Sequence, residues 1–125
     1  MNVAKMVADY LKTRTSVTAL TTAGRIYWGE EPPAAAPKPT VRVTLINGNR
    51  LHNLDYAFPD VQVSVFDKTK EGAEALKEVL IAELRDARVV MGSTGVTAVY
   101  QDDRTFRQTD WWHAPITFGL RLQEE

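Results

Sequence analysis

The 125-residue sequence contains no cysteine, only two histidines and no excess of charge of either sign. Without cysteine, disulfides, thiolate zinc sites and cysteine nucleophiles are excluded, and folding in a reducing compartment such as the cytoplasm is expected. Fifteen Lys and Arg against sixteen Asp and Glu give a net charge of -1, so no bulk positive field exists to collect phosphates. The charge balance therefore disfavours a dedicated nucleic-acid binder, and no sequence-specific nucleic acid is expected as a partner.

Long apolar segments are also missing. The first ten residues include Asp9 and no continuous apolar run, so neither a signal peptide nor the roughly 20-residue span of a membrane helix is predicted. A chain of this length is expected to form one domain, residues 1–125, and to bury roughly two-thirds of its unfolded surface without metals or disulfides. We therefore expect a single folded domain with no membrane partner.

Motifs for catalysis or cofactor binding are scarce. His52 and His113 lie far apart in the sequence and form no metal-binding pair of close spacing. The segment 92–95, Gly-Ser-Thr-Gly, lacks the Gly-Lys-Ser/Thr of a phosphate loop and is interpreted as a turn. Asp102 and Asp103 lack the alternating oxygen ligands of a calcium loop. The sequence thus predicts a protein that is not an enzyme, with no catalytic residue, no cofactor and no metal.

Helical spacing of apolar residues occurs in two segments. Residues 2–13 carry the first apolar stripe and residues 69–87 the second, with Asp67 or Thr69 as the cap of the second helix. The polar positions of the second helix are expected on its solvent face; they are Glu71, Glu74, Lys77 and Glu78. Both helices are predicted to cover one face of a sheet.

Strand-like alternation with period two fills most of the remaining chain. The predicted strands are 25–28, 41–45, 61–65, 96–101 and 116–122, and the second and third are expected to pair. Segments 29–40 and 47–59 are predicted as long loops, the latter with an Asn47-Gly48 turn that permits a long β-hairpin, and 102–110 as a polar loop. The predicted fold class is α+β, with two helices packed on one face of a mostly antiparallel four- to five-stranded sheet.

The face of this sheet opposite the helices is predicted to be polar and available to a partner. Period-two spacing places Trp112 with Ile116 on the helix side, whereas Trp111 and His113 point the other way and are expected to be exposed. The mixture of Arg and aromatic residues is typical of protein interfaces. The predicted interface residues are Arg42, Arg50, His52, Tyr56, Arg104, Arg107, Trp111 and Arg121.

The order of these segments resembles the small tail-completion, or tail-terminator, proteins of long-tailed bacteriophages and prophages. The segments that carry the resemblance are helix one, Gly24-Arg25-Ile26-Tyr27 in residues 19–27, the proline-rich segment before Pro39-Thr40-Val41, Val61–Phe66, the second helix and Ile116–Arg121. The resemblance implies a structural part of the virion: a six-fold ring that caps the tail tube, stops its polymerisation and presents a surface for head-tail joining. Its implied partners are other copies of the chain, the tail tube protein and the head-side connector protein.

The resemblance also implies assembly in the host cytoplasm and a final place in the virion at the head-tail junction. The Pro-, Ala-, Asn- and Gly-rich loops are expected to order on assembly, so the free subunit is expected to associate weakly and to exist as a monomer. A head-closure or connector adaptor protein of the neck is an alternative of the same size. A small ligand-binding α+β domain is a second alternative, which would require His52, His113 and a carboxylate to converge in a pocket.

Overall fold

The structure, a computed structural model, describes residues 2–29, 39–47, 59–85, 88–108 and 110–124. Its helices are α1 (Val3–Lys12), α2 (Thr15–Thr18) and α3 (Lys70–Leu84), with a short 3-10 turn at Ala23–Arg25. Its strands are β1 (Ile26–Trp28), β2 (Thr40–Asn47), β3 (Asp60–Asp67), β4 (Arg88–Met91), β5 (Thr94–Asp103), β6 (Phe106–Gln108) and β7 (Trp111–Glu124).

All seven strands belong to one sheet, curled into a half-barrel. The strand order is β1-β2-β3-β7-β5-β4, and β6 pairs with β7 beyond the end of β5. Only β1 and β2 run parallel; the other described pairs are antiparallel. The predicted fold class, two helices on a four- to five-stranded sheet, is therefore wrong, because strand content dominates and the sheet is larger and curved.

Two of the seven strands were not expected from the sequence because they are too short to show alternation. Strand β4 has four residues and β6 has three. Segment 102–110 was expected as a polar loop, but most of its described residues are strand: β5 continues to Asp103, and the Arg104 amide donates to the Pro115 carbonyl at 3.1 Å before β6 begins. Neighbouring main-chain hydrogen bonds, which the side-chain pattern does not reveal, stabilise these segments.

The two longer helices begin at the residues that capping predicts. The Asn2 side chain accepts a hydrogen bond from the Lys5 amide at 2.9 Å at the start of α1, and the Thr69 hydroxyl accepts from the Gly72 amide at 3.1 Å at the start of α3. Helix α1 contacts β1, β2 and β4, and α3 contacts β3, β5 and β7. Because the sheet is curled, α1 contacts strands near both ends of the sheet. In the described part of the chain no helix is long and apolar enough to span a bilayer.

The core lies between the helices and the concave face of the sheet. Leu11, Leu76 and Leu80 are fully or almost fully buried against inward-facing residues of the central strands. Those inward residues are Val41, Val43, Val61, Val63, Val65, Ala114, Ile116 and Phe118. Burial of this apolar surface, at roughly 25 cal/mol per Å², is the main stabilising term of such a fold. The opposite, convex face of the sheet is called the outer face below.

Candidate interface on the outer face of the sheet

Cross-strand pairing brings aromatic and basic residues together on the outer face, near the start of β7. Thr40 of β2 lies opposite Phe66 of β3, which lies opposite His113 of β7, which in turn lies opposite Phe106 of β6. Side chains directly opposite one another on one face of a sheet are close enough to contact. Together with their neighbours these residues form what we call the outer cluster: Thr40, Arg42, Ser64, Phe66, Arg104, Phe106, Trp111 and His113.

The centre of the outer cluster is a stack of three rings. The imidazole of His113 stacks on Phe66, with ring centroids 4.4 Å apart and planes inclined by 14°. On its other side His113 meets Phe106 edge-to-face at 5.0 Å, and the Arg104 guanidinium lies 6.0 Å from the centre of the Phe106 ring. Such ring pairs fix the relative positions of the strands that carry them. His113 is therefore held rigidly between two aromatic neighbours, and the expectation that it is exposed is wrong because both rings cover it.

The electrostatic surroundings of His113 are positive. Burial, and then the positive charges of Arg42 and Arg104, lower the pKa of His113 below its usual value. No carboxylate among the described residues acts on this imidazole. The ring is consequently neutral at physiological pH, and protonation would place a third positive charge in the cluster.

Several polar atoms of the outer cluster are buried. Ser64 is only 4% exposed, and its hydroxyl donates to the Gln62 side chain at 3.3 Å. The Thr40 hydroxyl oxygen and His113 Nε2 are buried as well, and neither has a hydrogen-bond partner within the described ranges. Arg42 donates through one terminal nitrogen to the Gly29 carbonyl at 3.2 Å. The cluster thus combines an aromatic centre with buried polar atoms.

The predicted interface residues divide into three groups. Arg42, Arg104 and Trp111 lie together in the outer cluster. Arg107 is paired with Trp112, so it lies on the opposite side of β6, and Arg121 lies on the outer face next to Thr97, four residues beyond Thr117 along β7. The other three, Arg50, His52 and Tyr56, lie outside the described residues. The structure therefore brings together three of the predicted residues and separates two others from them.

Sequence reasoning missed Phe66 and the buried Thr40 as members of this cluster, and it considered Phe106 in the Arg- and aromatic-rich segment 104–112 without including it among the predicted interface residues. Phe66 stands at the end of a strand whose other outward residues are polar, and Phe106 lies in the segment that was expected to be a loop. Period-two spacing does place Phe66 on the same face as Ser64, so that signal was present. The neighbours of Thr40 and Phe106 depend on strand register, which the sequence did not reveal.

A second polar cluster lies on the helix side of the sheet, around Lys77 of α3. Lys77 was expected on the solvent face but is only 7% exposed. Its ammonium group is 2.9 Å from a Glu74 oxygen and donates to Asp103 and Thr105, each at 3.0 Å. The Tyr100 hydroxyl donates to the other oxygen of Asp103. All three ammonium protons have partners, which explains how this charge is buried.

The pKa values of Lys77 and Asp103 are shifted by the same pairing. Burial acts to lower the pKa of Lys77, but the hydrogen bonds with Glu74 and Asp103 outweigh it and raise the pKa overall. Hydrogen bonds from Tyr100 and then Lys77 lower the pKa of Asp103. The cluster joins α3 to the β5–β6 connection as a closed set of ion pairs. Its chemistry is that of a structural contact, since the Lys77 ammonium is already paired with both carboxylates and with the Thr105 hydroxyl.

The described residues contain no group of three or more His, Cys, Asp or Glu side chains placed to hold a metal ion. His113, the one histidine that the structure describes, has aromatic and basic neighbours. His52, which a ligand-binding pocket would require beside His113 and a carboxylate, lies outside the described residues. The described site presents aromatic rings and arginine side chains.

Comparison with known proteins identifies the fold. No protein-family model matches the sequence, and no curated protein is significantly similar to it. A chain in the virion of a native gene transfer agent (GTA) particle superposes with a TM-score of 0.70 at 16% identity, over 97% of this chain and 94% of that chain. A second solved protein, whose name states no function, gives a TM-score of 0.59 at 19% identity, over 99% and 92% of the two chains. At such identities the likeness shows a shared fold.

Proposed function

We propose that this chain is a structural component of a phage-like virion. The observation that carries the proposal is the likeness over almost the whole length of both chains to a virion chain of a gene transfer agent particle. A part that works by assembly needs surfaces, and the outer cluster is a rigid surface of that kind.

Within the virion we assign the chain to a ring of six copies that caps the tail tube, ends its polymerisation and joins it to the head-side connector. The sequence segments that resemble tail-terminator proteins support this assignment. A ring requires heterologous contacts, in which two different surfaces of one copy meet its two neighbours. One end of the sheet is formed by β1 and β2, and the other end is formed by β4. These two ends are different surfaces of one rigid sheet and suit this geometry. Assembly would take place in the host cytoplasm, and the proposal includes no catalytic step.

Solution mass tests the ring directly. Sedimentation velocity over a wide concentration range, with and without Mg²⁺, should reveal a species of about six times the 14.0 kDa subunit mass. Negative-stain images of that species should show six-fold rings. A dimer or an open filament as the only large species would contradict the ring.

Binding to isolated particles separates the terminator from the neck adaptor, which is the alternative of the same size. The terminator should bind tails that lack heads and should stop further addition of tube subunits. A neck adaptor should bind filled heads and leave tube growth unchanged. The observed fold likeness is to a virion chain and is compatible with both positions, so this pair of binding experiments decides between them.

A further inference from the structure

At the β1 end of the sheet, main-chain groups point away from the neighbouring strand. The Gly29 amide donates to the Val43 carbonyl at 2.9 Å, so Gly29 faces β2. Because the main-chain groups of successive residues point to opposite sides of a strand, the N–H and C=O groups of Trp28 and Ile26 face away from β2. Within the described ranges no strand lies beyond β1. Such an edge is a template for a further strand.

The β4 end of the sheet has a matching pattern. A two-residue turn, Gly92 and Ser93, joins β4 to β5, and Gly92 has a φ of 65°. The residues that flank such a turn, Met91 and Thr94, form a hydrogen-bonded pair. Val90 therefore directs its N–H and C=O away from β5, where the described part of the chain places no strand. Its side chain is 57% exposed and lies on the outer face, because the side chain of Met91 is buried on the other face.

The directions of the strands allow these two edges to meet head to tail. Strands β1 and β2 are parallel, and each later pair in the order β2-β3-β7-β5-β4 is antiparallel. Strands β1 and β4 consequently run in the same direction. Copies related by one repeated rotation can therefore set β1 of one copy parallel to β4 of the next. This is a heterologous contact, the kind from which closed rings are built.

Parallel pairing also fixes the register of that contact. In a parallel pair, a residue bonds through both of its main-chain groups to the two residues that flank its opposite neighbour. The N–H of Val90 would donate to the Ile26 carbonyl of the next copy, and the C=O of Val90 would accept from that copy's Trp28 amide. This register sets Val90 opposite Tyr27 of the next copy. Both side chains then lie on the outer face, since Tyr27 is paired with Arg42 there.

A groove on the helix side lies where this register brings Trp28 of the next copy. The groove has a volume of about 510 Å³ between α1 and the end of β4, and its apolar lining includes Met6, Met91 and the ring of Tyr10. The same register sets Met91 beside Trp28 of the next copy, on the face of the sheet that carries the helices. Trp28 is 37% exposed, so the contact would remove apolar surface of both copies from water.

We propose that β1 of one copy pairs in parallel with β4 of a second copy of this chain and that Trp28 enters the groove between α1 and β4. The occupant is a second copy because one chain carries both edges, of three and four residues, with the same direction. Main-chain pairing and the position of the groove also lead to the same register. The inference rests on the proposed function, since it names the contact between neighbours in the ring.

Disulfide crosslinking tests the contact, because the chain has no cysteine of its own. Tyr27→Cys and Val90→Cys are purified separately, mixed at high concentration and oxidised. Opposite residues on adjacent strands lie within the Cα separation that a disulfide spans, so the mixture should give a crosslinked dimer and each variant alone should not. Val99→Cys mixed with Tyr27→Cys is the matched control. Val99 is 39% exposed but lies on β5, so no crosslink is expected.

A proline at position 90 tests the main-chain hydrogen bonds of the contact. Val90→Pro removes an N–H that the subunit's own sheet does not use, so the fold should be retained. Sedimentation equilibrium should show association weakened about tenfold or more. Val90→Thr keeps the N–H and a branched side chain, and it should associate within about threefold of the wild type. Far-ultraviolet circular dichroism reports whether each variant is folded.

Several results would overturn the strand contact. They are equal crosslinking in the Val99→Cys control, crosslinking of Val90→Cys mainly with itself, and unchanged association of a folded Val90→Pro chain. Six-fold rings without a crosslink between positions 27 and 90 would remove this inference and leave the ring proposal standing. Crosslinked open filaments would support the strand contact and contradict the ring. A wild-type chain that never associates would overturn both.

Discussion

The two faces of strand β7 present opposite chemistry to their surroundings. Toward the helices the strand contributes Ala114, Ile116 and Phe118, all fully buried. Toward the outside it contributes Trp111 and His113, which are half-buried among arginines and rings. The inner face is explained by folding alone, because every side chain there removes apolar surface from water. The outer face holds rings, cations and buried polar atoms, a composition that removal of apolar surface from water alone does not explain.

The strongest test of this contrast is truncation on the inner face. Phe118→Ala should reduce the free energy of unfolding by about 3–5 kcal/mol, because it opens a large cavity in the centre of the core. Urea unfolding monitored by tryptophan fluorescence measures the change. Val99→Ala on the neighbouring strand is the matched control, since Val99 is 39% exposed and should cost less than about 0.5 kcal/mol. Equal losses in the two variants would contradict the assignment of faces.

The Lys77 cluster gives the next largest effect. Lys77→Met should destabilise the fold by roughly 2–3 kcal/mol, because it leaves Asp103 and Glu74 without their shared cation; the half-exposed position of Glu74 keeps the loss below that of a fully buried pair. Lys68→Met, an exposed lysine before α3, should change stability by less than about 0.5 kcal/mol. Equilibrium unfolding of both variants at neutral pH measures the two changes in stability. Wild-type stability in Lys77→Met would show that the cluster contributes nothing net.

Replacement of His113 should have a smaller effect on the free energy of unfolding, and that effect should depend on pH. Its pKa is lowered in the folded chain, so as the pH falls below about 6.5 the unfolded chain takes up the proton first. The stability contributed by the neutral ring is therefore complete above that pH and is lost as the pH falls toward the lowered pKa. His113→Phe should remove this loss, with a difference below about 1 kcal/mol.

The measurement is the free energy of unfolding at several values between pH 7.5 and pH 5. His52 is present in both proteins, so any contribution from it cancels in the difference. Parallel pH profiles for the wild type and His113→Phe would contradict the environment assigned to His113.

The smallest effect on stability is expected for the arginines of the hairpin, where the effect on assembly should be largest. Arg104→Glu combined with Arg107→Glu should leave the fold intact, within about 0.5 kcal/mol, and reduce the yield of assembled rings. The single variants sharpen the comparison because the two residues lie on opposite sides of β6. Arg104→Glu should account for most of the loss if the outer cluster makes the contact. An undiminished yield of assembled particles with the double variant would contradict the role of this hairpin.

The sequence predicted those parts of the fold that have enough residues to show a period. Helices α1 and α3 were predicted because their apolar residues repeat with helical spacing over ten or more positions. The pairing of β2 with β3 was predicted because residues 41–45 and 61–65 alternate between apolar and polar side chains. Strands β4 and β6 are too short for such a pattern, and β6 depends on β7 for its main-chain partners. The curl of the sheet arises from packing and twist across all the strands, which no local pattern contains.

The candidate site was predicted only in part, for a related reason. The composition of the hairpin, with Arg104 and Trp111, indicated an interface. The stacking of His113 between Phe66 and Phe106 requires residues from three strands to be in register, and register was not known from the sequence. Lys77 was misplaced because a lysine at a helical position is usually solvated, whereas here Glu74, Asp103 and Thr105 accept all three of its protons.

The central claim is that this fold works by assembling into a ring in a virion. Sedimentation velocity with negative-stain imaging, over concentration and with and without Mg²⁺, tests it most directly. We expect a monomer at low concentration and a six-fold ring of about six subunit masses when association is favoured. A chain that stays monomeric under every condition, including in the presence of isolated tail tubes, would contradict the claim.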